Sequence, residues 1–140
     1  MQLVVDVGNT ETVVGLASSP TDIVNHWRVS SSVPRTEDEM TALIRAFLAG
    51  DGVDESLITQ GVVGSVVPSL NHVWMKTLGK IVSGDVLAVG PGSDLPIRLD
   101  VEEPMSVGAD RVVNTLAAME LYHRDTIAVD LGTATTFDCI

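Results

Sequence analysis

Short apolar runs broken by turn residues open the chain. Gln2 to Val7 and Thr12 to Ala17 read as strands joined by Gly8-Asn9-Thr10, and Ile23 to Val29 reads as a third, giving a three-strand meander. The period then changes. Ser30 to Pro34 is a polar connector, Thr36 and Glu39 have the spacing of a capping box, and Met40, Leu43, Ile44, Phe47 and Leu48 fall at i, i+3, i+4, i+7 and i+8. That stripe is the core-facing side of a helix, which Gly50-Asp51-Gly52 ends. Gln60 to Val66 is a nearly continuous apolar run, as expected of a strand at the centre of a sheet. Pro68 starts a second helix with Leu70, Val73, Trp74 and Leu78 turned inward, and Asp85 to Val89 returns as a strand. The order β-β-β-α-β-α-β predicts a mixed sheet covered by helices, an α/β architecture.

Beyond the Gly90-Pro91-Gly92 turn come a short extended piece, Leu95 to Leu99, and an acidic, proline-containing loop, Val101 to Pro104. A long helix follows from about Gly108 to Tyr122, with Val112, Val113, Leu116, Ala117 and Leu121 as an apolar face that Glu120 interrupts. It delivers the chain to a second copy of the opening pattern at Thr126. Asp130-Leu131-Gly132-Thr133-Ala134-Thr135-Thr136-Phe137-Asp138 aligns with the first hairpin through Asp6 and Asp130, Gly8 and Gly132, and Thr12 and Thr136. Each copy reads as strand, turn, strand, with an Asp at the strand end and a Gly that allows positive φ and close approach of a ligand. Backbone N–H groups around such a turn suit an anion such as phosphate, and the neighbouring Asp needs a cation. Two copies in one register suggest a duplicated domain whose halves offer a carboxylate and a phosphate-cradling turn to one nucleotide. The second copy begins near the C-terminus, so the chain reads as one complete domain plus the opening hairpin of another.

Composition narrows the partners. The chain of 140 residues is long enough for one domain with a sizeable core. A net charge of −11 argues against a nucleic-acid surface, which needs a basic face, and disfavours anionic membranes. No apolar run approaches the roughly 18 to 20 residues that span a bilayer, and the N-terminus shows no basic n-region or cleavage site. The single cysteine, Cys139, forms no intrachain disulfide, reads as a buried strand residue and fits a reducing compartment; the expected location is cytoplasmic. His26, His72 and His123 lack metal-ligand spacing, Ser65 lacks a nucleophile-elbow context, and Trp27 and Trp74 are expected in or beside the core.

Gly108-Ala109-Asp110-Arg111 puts a small residue, a carboxylate and a guanidinium at the head of the long helix. Asp in a first turn can be a simple favourable charge on the helix dipole, worth about 0.3 to 1 kcal/mol. It can also accept a proton from a substrate hydroxyl while Arg111 or nearby N–H groups hold an anionic substrate group. Spacing alone leaves both readings open.

Asp6-Val7-Gly8-Asn9-Thr10, Arg35-Thr36, Ser65-Val66-Val67-Pro68, Gly108-Ala109-Asp110-Arg111 and the segment from Asp130 to Asp138 together resemble type III pantothenate kinase across the whole chain. The resemblance implies a duplicated ribonuclease-H-like fold of the acetate kinase, Hsp70 and actin superfamily, with the second domain truncated here. It also implies a homodimer and Mg-ATP-dependent phosphorylation of pantothenate at the start of coenzyme A synthesis. By position, Asp6, Val7, Gly8, Asn9, Thr10, Glu11, Thr12 and Val13 would form the ATP phosphate loop, with Asp6 near Mg²⁺. Asp130 would bind a monovalent cation, K⁺ or NH₄⁺, and Thr133 would touch ATP. Gly108, Ala109, Asp110 and Arg111 would hold pantothenate, with Asp110 as general base on its hydroxyl. Residues 1–107 would then be the first domain, 108–125 a connecting helix and 126–140 the opening hairpin of the second.

Two features depart from the family pattern: Val101 stands where many members place a tyrosine, and the loop after Gly92 is short. Both point to an altered substrate pocket. Two alternatives accompany the kinase reading, a non-catalytic accessory regulator and one subunit of a split kinase completed by a separate C-terminal half.

Overall fold

Alternation sets the first strand. In β1 (Gln2–Val7), Leu3, Val5 and Val7 are buried on one face while Asp6 is exposed on the other. The computed structural model describes residues 1–132 and 134–140, which form two compact units, Met1–Ala88 and Val89–Ile140.

In the first unit β1 pairs antiparallel with β2 (Glu11–Ser19), which pairs antiparallel with β3 (Asp22–Ser30). A tight turn can join only antiparallel neighbours, so the chain needs a helical crossover to return parallel to β1. That crossover is α1 (Glu37–Gly50), and β4 (Gln60–Ser65) then lies parallel to β1 on its other side. With β5 (Val86–Val89) the sheet order is β3-β2-β1-β4-β5. The expected element order and mixed sheet are those observed, with ends moved by one or two residues.

The capping box at the head of α1 is formed in both directions. The Thr36 hydroxyl accepts from the Glu39 backbone N–H at 3.3 Å, and the Glu39 carboxylate accepts from the Thr36 backbone N–H at 2.8 Å. These bonds, from the Thr36 backbone first and its hydroxyl second, hold the Glu39 carboxyl below the usual carboxylate range. The predicted stripe faces the core: Met40, Ile44 and Leu48 are buried, with Leu43 and Phe47 packed at the edge. α2 (Pro68–Ile81) begins with proline, whose missing N–H costs nothing at a helix start, and buries Trp74, Leu78 and Ile81. Both helices share one core with Leu3, Val5, Val7, Val14 and Leu16 from the sheet.

A second tie holds the meander to α1. Asp51, just after the helix, accepts from both Asn25 Nδ2 at 2.8 Å and the Trp27 indole N–H at 2.7 Å, while the Trp27 ring stacks on Phe47 with centroids 6.0 Å apart. Trp27 therefore lies beside the core and Trp74 inside it, as expected.

The second unit contains α3 (Ala109–Tyr122) and a hairpin of β6 (Ile127–Leu131) and β7 (Thr135–Cys139). His123 ends α3 in the left-handed conformation (φ 50°), its N–H bonded to the Met119 carbonyl. Two expectations need correction here. The buried residues of α3 are Ala109, Val112 and Ala118, whereas Val113, Ala117 and Leu121 are exposed. The side that meets the hairpin carries Arg111 and Asn114, whose polar bonds orient the helix, so hydropathy alone mispredicts the buried face. Cys139 is exposed, because it shares the outward face of β7 with Thr135 and Phe137. Leu95 to Leu99 belongs to no strand. No helix among the described residues is long and apolar enough to cross a membrane.

Trp74 is the largest fully buried side chain among the described residues. Trp74→Ala is expected to cost about 3–5 kcal/mol, against about 1 kcal/mol for Thr36→Ala at the helix cap. Urea unfolding should show both as lower midpoints, with the tryptophan variant shifted several-fold further.

Candidate functional site

The first candidate element is the β1–β2 turn. Val7 pairs with Thr12, and Gly8, Asn9, Thr10 and Glu11 lie between them. The Gly8 N–H donates to the Glu11 carbonyl at 3.1 Å and closes the turn. The turn is braced from both sides, since Ser31 N–H donates to the Thr10 carbonyl and Val66 N–H to the Val7 carbonyl, each at 3.0 Å. Side chains divide sharply across this loop. Val7 and Thr12 face the core, and the Thr12 hydroxyl pairs with that of Ser31 at 2.8 Å. A ligand at the turn can meet these two residues through their backbone alone. Asp6, Asn9, Thr10 and Glu11 are exposed, with Val13 half-buried opposite Asp6. Glu11 is paired with Arg28 at 2.9 Å.

The glycine's role differs from the expected one. Neither Gly8 nor Gly132 has positive φ; Gly52 (φ 69°) is the described glycine that does. Gly8 is demanded by space, because a Cβ there would stand 2.8 Å from the Glu11 carbonyl oxygen, inside van der Waals contact. At Gly132 a Cβ would meet the Ala134 carbonyl oxygen at 3.6 Å, an ordinary distance.

The second candidate element is the head of α3. Gly108 is its N-cap residue and supplies no side-chain cap. Asp110 is half-buried and its Oδ1 accepts from the Arg111 backbone N–H at 2.8 Å. The Arg111 guanidinium turns to β7, where Nε donates to Asp138 Oδ1 at 2.7 Å and Nη2 pairs with the same carboxylate. The Asp138 bond pushes the Arg111 pKa above its ordinary value; burial acts in the opposite direction, and the charges of Asp138 and Asp110 reinforce the rise. One helical turn on, Asn114 Nδ2 approaches Asp130 Oδ2 at 3.5 Å.

The β6–β7 hairpin is not a register copy of the first. Leu131 pairs with Thr135, so three residues lie between them where the first turn has four, and Asp130 stands opposite Thr136. A one-residue change reverses the faces of the returning strand. Thr12 is therefore on the core face away from Asp6, whereas Thr136 and Asp138 share the face of Asp130. This polar face turns to α3, and the other face leaves Ile127, Val129, Leu131 and Phe137 exposed, Leu131 at 80%. Thr133, expected to touch ATP, lies outside the described residues.

The structure thus gathers Asp110, Arg111 and Asp130 in the second unit and adds two residues that the sequence reading passed over, Asn114 and Asp138. The i, i+3 spacing of Arg111 and Asn114 was visible in the sequence; the parity that exposes Asp138 to Arg111 was not. Asp130 presents a hard carboxylate oxygen on this face beside Asn114, whereas the Asp138 carboxylate is committed to Arg111. No group of three or more His, Cys, Asp or Glu side chains among the described residues is placed to hold a metal ion. Val101 is exposed.

The chain is similar to known proteins over its whole length. The family model for type III pantothenate kinase matches residues 2–140. A protein of Myxococcus xanthus named type III pantothenate kinase is 39% identical over 140 residues, covering all of this chain and 54% of its own length. One of Moorella thermoacetica with the same name is 42% identical over 142 residues, covering all of this chain and 55% of its own. The chain spans about half the length of the curated relatives it matches. Among solved structures, a ROK family glucokinase from Streptomyces griseus, in complex with glucose and AMPPNP, matches with a TM-score of 0.54 at 18% identity, over 99% of this chain and 44% of that one. That likeness is one of fold, and it agrees with the α/β, ribonuclease-H-like class of the acetate kinase, Hsp70 and actin superfamily.

The two turn glycines give a paired test. Gly8→Ala is expected to destabilise the protein by about 1–3 kcal/mol as the turn shifts away from the Glu11 carbonyl. Gly132→Ala should stay within about 0.5 kcal/mol. Equal effects in urea unfolding would contradict the geometric difference between the two hairpins.

Proposed function

Because this chain belongs to the type III pantothenate kinase family, we propose that it carries the phosphate loop and the substrate turn of an ATP-dependent kinase. The reaction is phosphorylation of pantothenate to phosphopantothenate, the first step of coenzyme A biosynthesis. The observation that supports this most is the grouping at the head of α3. A carboxylate, a guanidinium and a hairpin bearing two further carboxylates lie in one compact unit, bonded through Arg111, Asn114, Asp130 and Asp138.

The chemistry follows from what these groups can do. ATP with Mg²⁺ supplies the phosphoryl group, and such transfers depend chiefly on positioning and charge neutralisation. Asp110 Oδ1 is occupied by the Arg111 N–H, which holds the carboxylate at the helix head. Its other oxygen accepts the proton of the substrate's primary hydroxyl. Arg111, held by Asp138, attracts the pantothenate carboxylate, with the small residues Gly108 and Ala109 allowing close approach of the substrate. Asp6 to Val13 would receive the ATP phosphates, Asp6 would hold the accompanying Mg²⁺, and Thr133 would contribute to nucleotide binding. The close fit of Gly8 against the Glu11 carbonyl supports a fixed loop of this kind. Asp130 would hold a monovalent cation, K⁺ or NH₄⁺, whose charge offsets that of the phosphates.

In this reading residues 1–107 form the ATP-loop domain, 108–125 the connecting helix and 126–140 the start of the second domain. A C-terminal half of the kind its relatives possess completes the site. The active form is a cytoplasmic homodimer.

The test is steady-state phosphorylation of pantothenate by the full-length protein. Asp110→Asn should lower kcat by roughly 10²–10⁴, the range of a general base, while pantothenate still binds. Turnover at the wild-type rate would remove Asp110 from the mechanism, and an inactive wild-type protein that binds both ligands would overturn the kinase reading.

A further inference from the structure

We infer that Asp138 is a positioning residue for the substrate turn, holding the Arg111 guanidinium in the orientation that receives the anionic end of the substrate. The inference rests on the proposed phosphorylation of pantothenate and adds a role on β7 to that site.

Three observations carry it. The first is the bonding pattern: Asp138 engages Arg111 side-on, through Nε and Nη2. A guanidinium has five N–H donors in a rigid plane, and side-on engagement leaves its Nη1–Nη2 fork as a second edge that fits a carboxylate with two parallel bonds. The second is burial. The Asp138 side chain is 11% exposed and that of Arg111 37%, so the anchor is shielded while the guanidinium remains reachable. The third is the turn length of the hairpin, which puts Asp138 on the α3 side together with Asp130 and Thr136. With the four-residue turn of the first hairpin, Asp138 would face outward beside Phe137's present surroundings and could not reach Arg111.

Charge and order act in opposite directions. The Asp138 charge partly cancels the attraction of Arg111 for an anion, yet the same bond removes the rotational freedom that a long arginine side chain would otherwise lose when substrate binds. Asp110 is joined to the same arrangement, because its Oδ1 accepts from the backbone N–H of Arg111. Holding the guanidinium therefore steadies the residue next to the candidate base. A purely structural anchor would serve the hairpin alone, and the kinetics of the two substrates separate the roles.

In the full-length protein, Asp138→Asn is expected to raise the KM for pantothenate about tenfold, with kcat and the KM for ATP changed by less than about threefold. Asp138→Glu, which keeps the charge, should recover most of the loss. In an Arg111→Lys background, where the planar fork is gone, adding Asp138→Asn should change the pantothenate KM by less than about twofold. An unchanged pantothenate KM in an active Asp138→Asn protein would overturn the inference and leave the kinase reading intact. So would parallel rises in both KM values, or full additivity with Arg111→Lys. Absence of pantothenate phosphorylation in the wild-type protein would instead strike the kinase reading, and this inference with it. If Asp138→Asn does not fold, Asp138→Ser takes its place with the same readings: a selective rise in the pantothenate KM supports the role, and an unchanged pantothenate KM or parallel rises for both substrates overturn it.

Discussion

Side chains on a strand alternate between two faces, so the number of residues in a hairpin turn decides which of them can act together. This constraint governs both candidate elements of the chain. In the first hairpin four residues separate the paired Val7 and Thr12, and the returning strand puts Thr12, Val14 and Leu16 into the core beneath Asp6. In the second, three residues separate Leu131 and Thr135, and the returning strand turns Thr136 and Asp138 to the same side as Asp130. Similar residues thus have opposite assignments: a buried structural threonine in one copy and a polar face in the other.

The polar face of the second hairpin has a matching partner in α3. Arg111 and Asn114, one helical turn apart, each direct a side-chain donor to a carboxylate of the hairpin. Such pairing carries more orientation than stability, since the guanidinium is partly exposed and its ion pair is screened by solvent. Its value lies in geometry. The helix is held with Asp110 at its head, bonded to the Arg111 backbone N–H, and with the Arg111 guanidinium against Asp138.

The first unit is built differently, by burial. Leu3, Val5 and Val7 of β1 sit against Ile44, Leu48, Trp74 and Leu78 from the two helices, and the capping box and proline start fix where those helices begin. The turn after β1 is braced by Ser31 on one side and Val66 on the other, so the rigid sheet presents the Gly8 loop in one conformation.

Much of this was legible in the sequence, because periodicity and local chemistry act over short distances. The three-strand meander, the Thr36–Glu39 cap, the stripe from Met40 to Leu48, Pro68 at a helix start and the two Asp-Gly hairpins are all local patterns, and family motifs along the chain carried the fold class and the kinase family. What local pattern cannot contain is the pairing register and the rotation of a helix about its axis. Tertiary structure decided that Gly8 is needed for space and not for positive φ, that Val113 and Leu121 of α3 are exposed, that Cys139 points outward, and that Asp138 meets Arg111. The reason is physical: a turn one residue shorter costs little locally yet reverses a whole strand, and the rotation of a helix about its axis is set by everything packed around it, which its own sequence does not contain.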